Sequence, residues 1–492
     1  MTRDLILAVD QGTTSTRAIA FDGALRPVAS ASVPLDTTHP RPGWVEQDPE
    51  AILESVVESV ARVLDAVGGP TRVVAAGLDN QGETVVAWDS EDRRALAPAV
   101  VWQCRRSQPV VDRLRAAGHE PSIRERTGLP LDPYFSAGKA TWLLEHNPDV
   151  QAAAKRGTLR IGTVDAWLTA RLDGGDGRTD PSTASRTQLL ALATLDWDPE
   201  LLGWFGIDRR MLPRIVPTAG DLGEVAHSRW GGSLPLRAMA CDQQAALAGH
   251  GAFAPGAMKA TYGTGVFVLA NAGIRREATP DLETSMAWTL PDGRTASVLQ
   301  GGVFAAGAFI DWFRDDLGLV SQVGETALLA SSVPDTAGVR VLPALSGLGA
   351  PWWRPTATAV VAGLTASAGR AHVIRAALDG IAHSVADIVD AMAPSLEAPP
   401  DRLRVDGGLT ANAFLMRRQA DLLGLPIEVA TMEESTALGI AGLAGIGAGL
   451  VDPDQIAEAN PVRHTVRPLQ DASIRMAERD AWRRFVEACA AL

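Results

Sequence analysis

Apolar and polar positions follow one arrangement twice along this chain, near its start and again just past its middle. Leu5 to Val9 and Thr16 to Phe21 are apolar runs separated by a short polar turn, and the first run ends on a carboxylate, Asp10. The spacing predicts a β-hairpin with chemistry at its tip. Met258 to Asn271 repeats it, with Gly263-Thr264-Gly265 as the turn between two further apolar runs. Two such hairpins about half a chain apart predict two related domains.

Between the hairpins the period changes. Asp48-Pro49 supplies an N-cap and a proline at the first helical position, and Ile52, Val56, Val57, Val60, Val63, Leu64 and Val67 then recur at helical spacing. Strands are expected over Val73 to Leu78 and Thr84 to Trp88, with the polar set Asn80-Gln81-Gly82-Glu83 between them placed to line a pocket. Leu236 to Ala240 reads as a strand that delivers Cys241-Asp242-Gln243-Gln244 at its end. The Gly- and Pro-containing stretch Gly249 to Pro255 marks a domain boundary, dividing the chain into residues 1–251 and 252–492. Beyond it, helical periodicity covers Val303 to Phe313 and His372 to Ala391. Leu403 to Gly408 reads as a strand into a Gly-Gly turn, with a helix beginning near Thr410.

Composition narrows the class. With 492 residues, 46% apolar and 21% charged, the chain has material for two ordinary folded domains. A net charge of −13 argues against a nucleic-acid or anionic-membrane partner and favours small molecules. Cys104, Cys241 and Cys489 lie far apart with no Cys-x-x-Cys, so neither a disulfide framework nor a zinc site is indicated. The first residues lack the organisation of a signal sequence, and the apolar run Ala437 to Val451 is too short and glycine-rich for a membrane span. The expected location is the cytoplasm.

The hairpin tips suggest the chemistry. Gly12 lets the backbone approach a ligand, while Thr13, Thr14 and Ser15 offer hydroxyls and consecutive amides suited to a phosphate. Asp10 is placed to hold Mg²⁺ directly or through water, and Arg17 follows as a phosphate partner. Each hairpin would present its loop to one phosphate chain held between the domains. Gly407-Gly408 ahead of a helix leaves backbone exposed where an adenine and ribose would slide in. No G-x-x-x-x-G-K-[ST] or G-x-G-x-x-G follows a strand, so this is neither the Walker loop nor the dinucleotide fingerprint.

Many stretches resemble the FGGY carbohydrate kinases and, within that family, the glycerol kinases. They include VDQGTTSTRA from Val9, GWVEQDP from Gly43, STASRT from Ser182, CDQQAALAG from Cys241, TYGTGVF from Thr261 and VDGGLTAN from Val405. Two family signatures span Tyr134 to His146 and Ala359 to Asp379, the first with Ala140 where a larger apolar residue is usual. The likeness covers almost the whole chain. It implies an α/β, two-domain fold of the actin and hexokinase (ribonuclease H-like) type with the active site in the interdomain cleft. The implied activity is ATP-dependent phosphorylation of a terminal hydroxyl of a small polyol, glycerol-kinase-like, giving glycerol 3-phosphate from glycerol, with ATP and Mg²⁺ as cofactors; a homo-oligomer is left open.

Carried over by position, Asp242 resembles the catalytic base that takes the proton from the attacking hydroxyl, a role that suits phosphoryl transfer. Asp10 matches the metal-associated carboxylate. Thr13, Thr14, Ser15 and Arg17 match the first nucleotide-phosphate loop, and Thr264 belongs to the second. Gly307, Asp311, Gly408 and Asn412 stand at nucleotide-side positions, although glycerol kinases commonly have Gln at the place of Asp311 and often a second Asn at that of Ala413. Glu83, Trp102, Tyr134, Asp242, Gln243 and Phe267 match glycerol-contacting positions.

Gly82 departs from the pattern, because glycerol kinases read Asn-Gln-Arg-Glu-Thr where this chain has Asn80-Gln81-Gly82-Glu83-Thr84. A hydrogen bond to a charged group is worth about 1.5 to 3 kcal/mol, so losing that Arg would weaken glycerol by about one to two orders of magnitude. The expectation is that Gly82 opens space for a longer polyol or a ketose. Two alternatives stand beside it: water or a nearby Arg fills the gap, or the chain is a non-catalytic sugar- and ATP-binding protein of the same fold. Ser233 stands where glycerol kinases that bind a sugar bisphosphate effector carry Arg, which implies no response to such an effector.

Overall fold

In the computed structural model, which describes residues 4–489, the two hairpins seed two sheets of matching topology. Leu5–Gln11 pairs antiparallel with Ser15–Phe21, and that strand with Pro27–Pro34. On its other side Leu5–Gln11 runs parallel to Val73–Asn80, which runs parallel to Gly232–Cys241. The second half repeats this order. Met258–Tyr262 pairs antiparallel with Val266–Asn271, and that strand with Thr295–Val303. Its other neighbour is Leu403–Asp406, parallel to it and to Ile427–Ala430. Edge strands complete a six-stranded and a seven-stranded sheet.

The first strand is buried from Leu5 to Val9 without alternation, because helices cover both faces of its sheet. One is Pro49–Val67, which begins as the sequence predicts: the Asp48 carboxylate accepts the Glu50 N–H at 2.9 Å, and Ile52, Val56, Val60 and Val63 lie buried on the sheet. On the second sheet Arg370–Met392 does the same with Leu378, Ile381, Val385 and Ile388. A smaller four-stranded sheet of Glu46–Gln47, Ala99–Val100, Val85–Asp89 and Leu159–Thr163 supports the loops that carry Trp102 and Tyr134.

The apolar run near Ala437 forms the buried helix Ser435–Gly447, which crosses Asp242–Gly249 at backbone distance. A Cβ on Gly439 would lie 1.7 Å from the Ala245 carbonyl oxygen, and one on Gly249 would lie 1.9 Å from that of Ser435. This helix belongs to the second half of the chain yet covers the first sheet at Gly77, where a Cβ would meet the Ile440 carbonyl oxygen at 2.6 Å. Glycine is what permits so close a crossing.

Element ends differ from the pattern by a residue or two in several strands and helices and more clearly in the following places. The strand leading to Asp242 begins already at Gly232. Val303 ends a strand, and the following helix is Gly307–Asp315. After the Gly-Gly turn a 3₁₀ turn, Gly408–Ala411, intervenes before the helix Ala413–Leu423, because the Asn412 side chain caps it by accepting the Leu415 N–H at 3.0 Å. No described helix is long and apolar enough to cross a membrane.

Candidate active site

Three parallel strands end at one rim. Register sets Asp10 beside Asp79 and Asn80 beside Cys241, so Asp10, Asp79 and Asp242 gather at the carboxyl ends of their strands. Burial pushes the Asp10 carboxyl up to about 6, with Asp242 adding to the rise. Asp79 is driven well above the usual carboxylate range, first by burial and then by Asp10. Both Asp79 carboxylate oxygens are buried without a hydrogen-bond donor among the described residues, so a shared proton or a cation is what satisfies this pair.

Asp242 opens the helix Asp242–Gly249. Burial and then the Glu83 charge push its carboxyl up to about 6, opposed by the Gln243 N–H, the Cys241 thiol and Lys259. Such a carboxylate is poised as a base near neutral pH.

Beside it lies a cavity of about 90 Å³ walled from both halves of the chain. Gly82, Glu83, Trp102 and Tyr134 come from the first half, Asp242 and Gln243 from its end, and Phe267 from the second. The Trp102 and Tyr134 rings meet edge-on with centroids 5.5 Å apart. The Trp102 indole N–H donates to the Thr13 hydroxyl at 2.9 Å, and that hydroxyl donates to Gln81 at 3.3 Å. Thr13, expected on the phosphate loop, is thereby part of the cavity wall. The Gln243 amide oxygen accepts from Lys259 at 2.8 Å, a fully buried ammonium whose pKa burial lowers.

Sequence reasoning missed several groups here. Lys139 is fully buried and donates to the carbonyls of Tyr134 and Phe135, fixing the aromatic loop; burial lowers its pKa to about 7. Its signal was its place inside the family signature Tyr134 to His146, which assigned it no role. Arg186 and Gln300 also line the cavity. The STASRT stretch was visible as shared, but nothing local assigned Arg186 a partner.

Gly82 leaves no empty space along its Cβ direction, contrary to the expectation that it opens room there. A Cβ at this position would lie 2.5 Å from Cys241 Sγ and 3.7 Å from Arg186 Cγ, so the space is already filled. Arg186, only 1% exposed, donates through Nε to Glu83 at 2.7 Å and through Nη1 to Glu283 of the second half at 2.8 Å.

On the nucleotide side, the Gly12 N–H donates to the Ser15 carbonyl at 3.0 Å and Thr14 is exposed. Arg17 is ion-paired with Glu434, just ahead of the buried crossing helix. In the second loop the Gly263 N–H donates to the Gly265 carbonyl at 2.9 Å, and the Ala306 and Ala308 N–H groups donate to the Thr264 carbonyl at 2.9 and 3.0 Å. Gly307 allows this lacing, since a Cβ there would lie 2.5 Å from the Gly263 carbonyl oxygen. Asp311 pairs with Arg314 at 3.0 Å. Gly408 is exposed with nothing within 4 Å of where a Cβ would sit. Asn412 is committed to the helix cap and donates to Thr326 at 3.0 Å, a structural use the sequence reading did not foresee.

Matching sheets around a cleft, carboxylates at the strand ends and a small mixed aromatic and polar cavity define a two-domain phosphotransferase of the α/β class. Comparison with known proteins is more specific. Residues 5–249 match the N-terminal domain and residues 258–448 the C-terminal domain of the FGGY family of carbohydrate kinases. The chain is 43% identical to a glycerol kinase of Citrifermentans bemidjiense and 41% identical to glycerol kinase 2 of Thermotoga maritima, with 98% of each chain covered in both cases. A crystal structure of Plasmodium falciparum glycerol kinase with ADP matches with a TM-score of 0.93 at 31% identity, covering 99% of this chain and 98% of the other. The chain belongs to the FGGY family of carbohydrate kinases.

Proposed function

We propose that this carbohydrate kinase transfers the γ-phosphoryl group of ATP to a terminal hydroxyl of glycerol, giving glycerol 3-phosphate. The observation that carries the reading is Asp242, a carboxylate raised to about 6 beside a cavity of about 90 Å³ that joins aromatic faces to hydroxyl-binding groups. That cavity is far smaller than the roughly 300 to 1,000 Å³ typical of pockets for drug-sized ligands, which supports a three-carbon polyol over a longer polyol or a ketose. The names of the relatives support the same choice.

In this reading Asp242 takes the proton of the attacking hydroxyl, while Glu83 and Gln243 hold the other hydroxyls and Trp102, Tyr134 and Phe267 flank the carbon chain. The two loops, Gly12–Ser15 and Gly263–Gly265, bind the phosphates through amides other than those of Gly12 and Gly263, which close the turns, and Gly408 leaves an open face for the adenosine. Approach of the two halves excludes water from the γ-phosphate. Asp10, with the buried Asp79 beside it, suits Mg²⁺, which when bound would neutralise charge on the phosphates; among the described residues no three acidic, histidine or cysteine side chains form a metal cage by themselves. The reading includes a cytoplasmic setting, supported by three free cysteines.

The test is ATP-dependent phosphorylation of glycerol against tetritols, pentitols and small ketoses. Glycerol is expected to lead in kcat/KM, and a longer polyol or a ketose in first place would overturn the substrate. Asp242→Asn is expected to abolish turnover while ATP still binds; retained turnover rules out its role as base.

A further inference from the structure

Arg186 carries one guanidinium nitrogen more than its partners use. Its Nε and Nη1 are pinned by Glu83 and Glu283, while Nη2 is buried and has no hydrogen-bond partner. Burial opposes its charge, but the Glu283 and Glu83 carboxylates outweigh this and keep it cationic. A buried guanidinium N–H left unmet is costly, and Arg186 lines the cavity.

A second unmet group stands close by in the fold. Gln300 lines the same cavity, and its side-chain oxygen is also buried without a partner. Gln300 faces Glu283 in strand register, so Arg186, Glu283 and Gln300 form one patch. The patch is firmly built: Asp180 caps the turn Pro181–Ala184 ahead of Arg186, and the Ser185 hydroxyl accepts the Met286 N–H of the second half at 3.0 Å. Phe135 and Tyr134 lie under the guanidinium carbon at 5.2 and 5.8 Å from their ring centroids.

We propose that Arg186 supplies from another element the guanidinium that position 82 lacks, its Nη2 donating to one substrate hydroxyl while the Gln300 side-chain oxygen accepts from a hydroxyl. This rests on the reading of the cavity as the polyol site. Gly82 and Cys241 are then a matched pair: the sulfur fills the volume into which a side chain at position 82 would enter. The rigid, planar fork of an arginine is suited to this task, because two of its edges are fixed and the third is aimed by them.

The experiment compares kcat/KM for glycerol, 1,2-propanediol and 1,3-propanediol, each diol lacking one hydroxyl, in the wild type, Arg186→Lys and Gln300→Leu. The wild type should prefer glycerol over at least one diol by about ten- to hundredfold, the worth of one hydrogen bond to a charged group. In the variants that ratio should fall by about tenfold, the Glu83 and Gln243 contacts remaining, with KM for ATP unchanged. Variants that slow all three substrates alike and keep the ratio would show a purely structural role and overturn the proposal. Should Arg186→Lys fail to fold, the wild type crystallised with glycerol decides: Nη2 within about 3.2 Å of a hydroxyl oxygen supports it, and every hydroxyl beyond about 3.6 Å overturns it. A wild type that phosphorylates no glycerol at all is a separate result, which overturns the polyol reading itself.

Discussion

Asp242 sits where opposing effects meet, burial and Glu83 lifting its carboxyl to about 6 while the Gln243 amide and the Cys241 thiol pull it down. A base works only when deprotonated, so a raised pKa moves the acid limb of activity upward from the ordinary carboxylate range near 4. The kcat/KM for glycerol is therefore expected to rise through about pH 6 and level off above it. Glu83→Gln removes the second cause of the rise, and the limb should shift to lower pH even as substrate binding weakens. A wild-type limb near pH 4 in a pH–rate profile would contradict this account.

At the scale of elements, the helix that begins with Asp242 is held by the helix Ser435–Gly447 at backbone contact. Adding one methyl group at Gly439 brings it within 1.7 Å of the Ala245 carbonyl oxygen, and backbone cannot yield as a side chain does. Gly439→Ala should cost at least the roughly 1 to 3 kcal/mol of an overpacked core, read as a lower urea midpoint. Because the displaced helix carries Asp242 at its start, turnover should fall together with stability. An unchanged midpoint would mean that the helices separate freely.

For the whole molecule, the two halves meet through polar contacts around the cavity: Arg186 to Glu283, Lys259 to Gln243 and the Met286 amide to Ser185. Regulation from outside the cleft needs a site of its own. In the exposed stretch that holds Ser233, the neighbouring Arg229 is taken up by Glu54 at 2.6 Å and Glu58 at 3.1 Å. An activity assay with such an effector should show no inhibition, and clear inhibition would refute the assignment.

Much of this was legible along the chain for a physical reason. The two hairpins, the helix Pro49–Val67 and the strand into Asp242 follow from short-range periodicity, capping and turn residues, which act between neighbours in sequence. Asp10 stood out at the end of its strand, and Glu83 in a polar set between two strands, whereas Trp102 and the role of Asp242 came from the resemblance to the FGGY kinases. Gly82 was read wrongly, Arg186, Asp79 and Gln300 were passed over, and Asn412 turned out to be a cap. Each of these depends on what lies across space. Whether Gly82 leaves a hole is decided by a sulfur 159 positions later, whether Arg186 is an ion pair or a ligand group by carboxylates on separate elements, and whether Asp79 faces Asp10 by strand register. Steric exclusion and electrostatics act over ångströms rather than along the chain, and only the tertiary structure brings those groups within range.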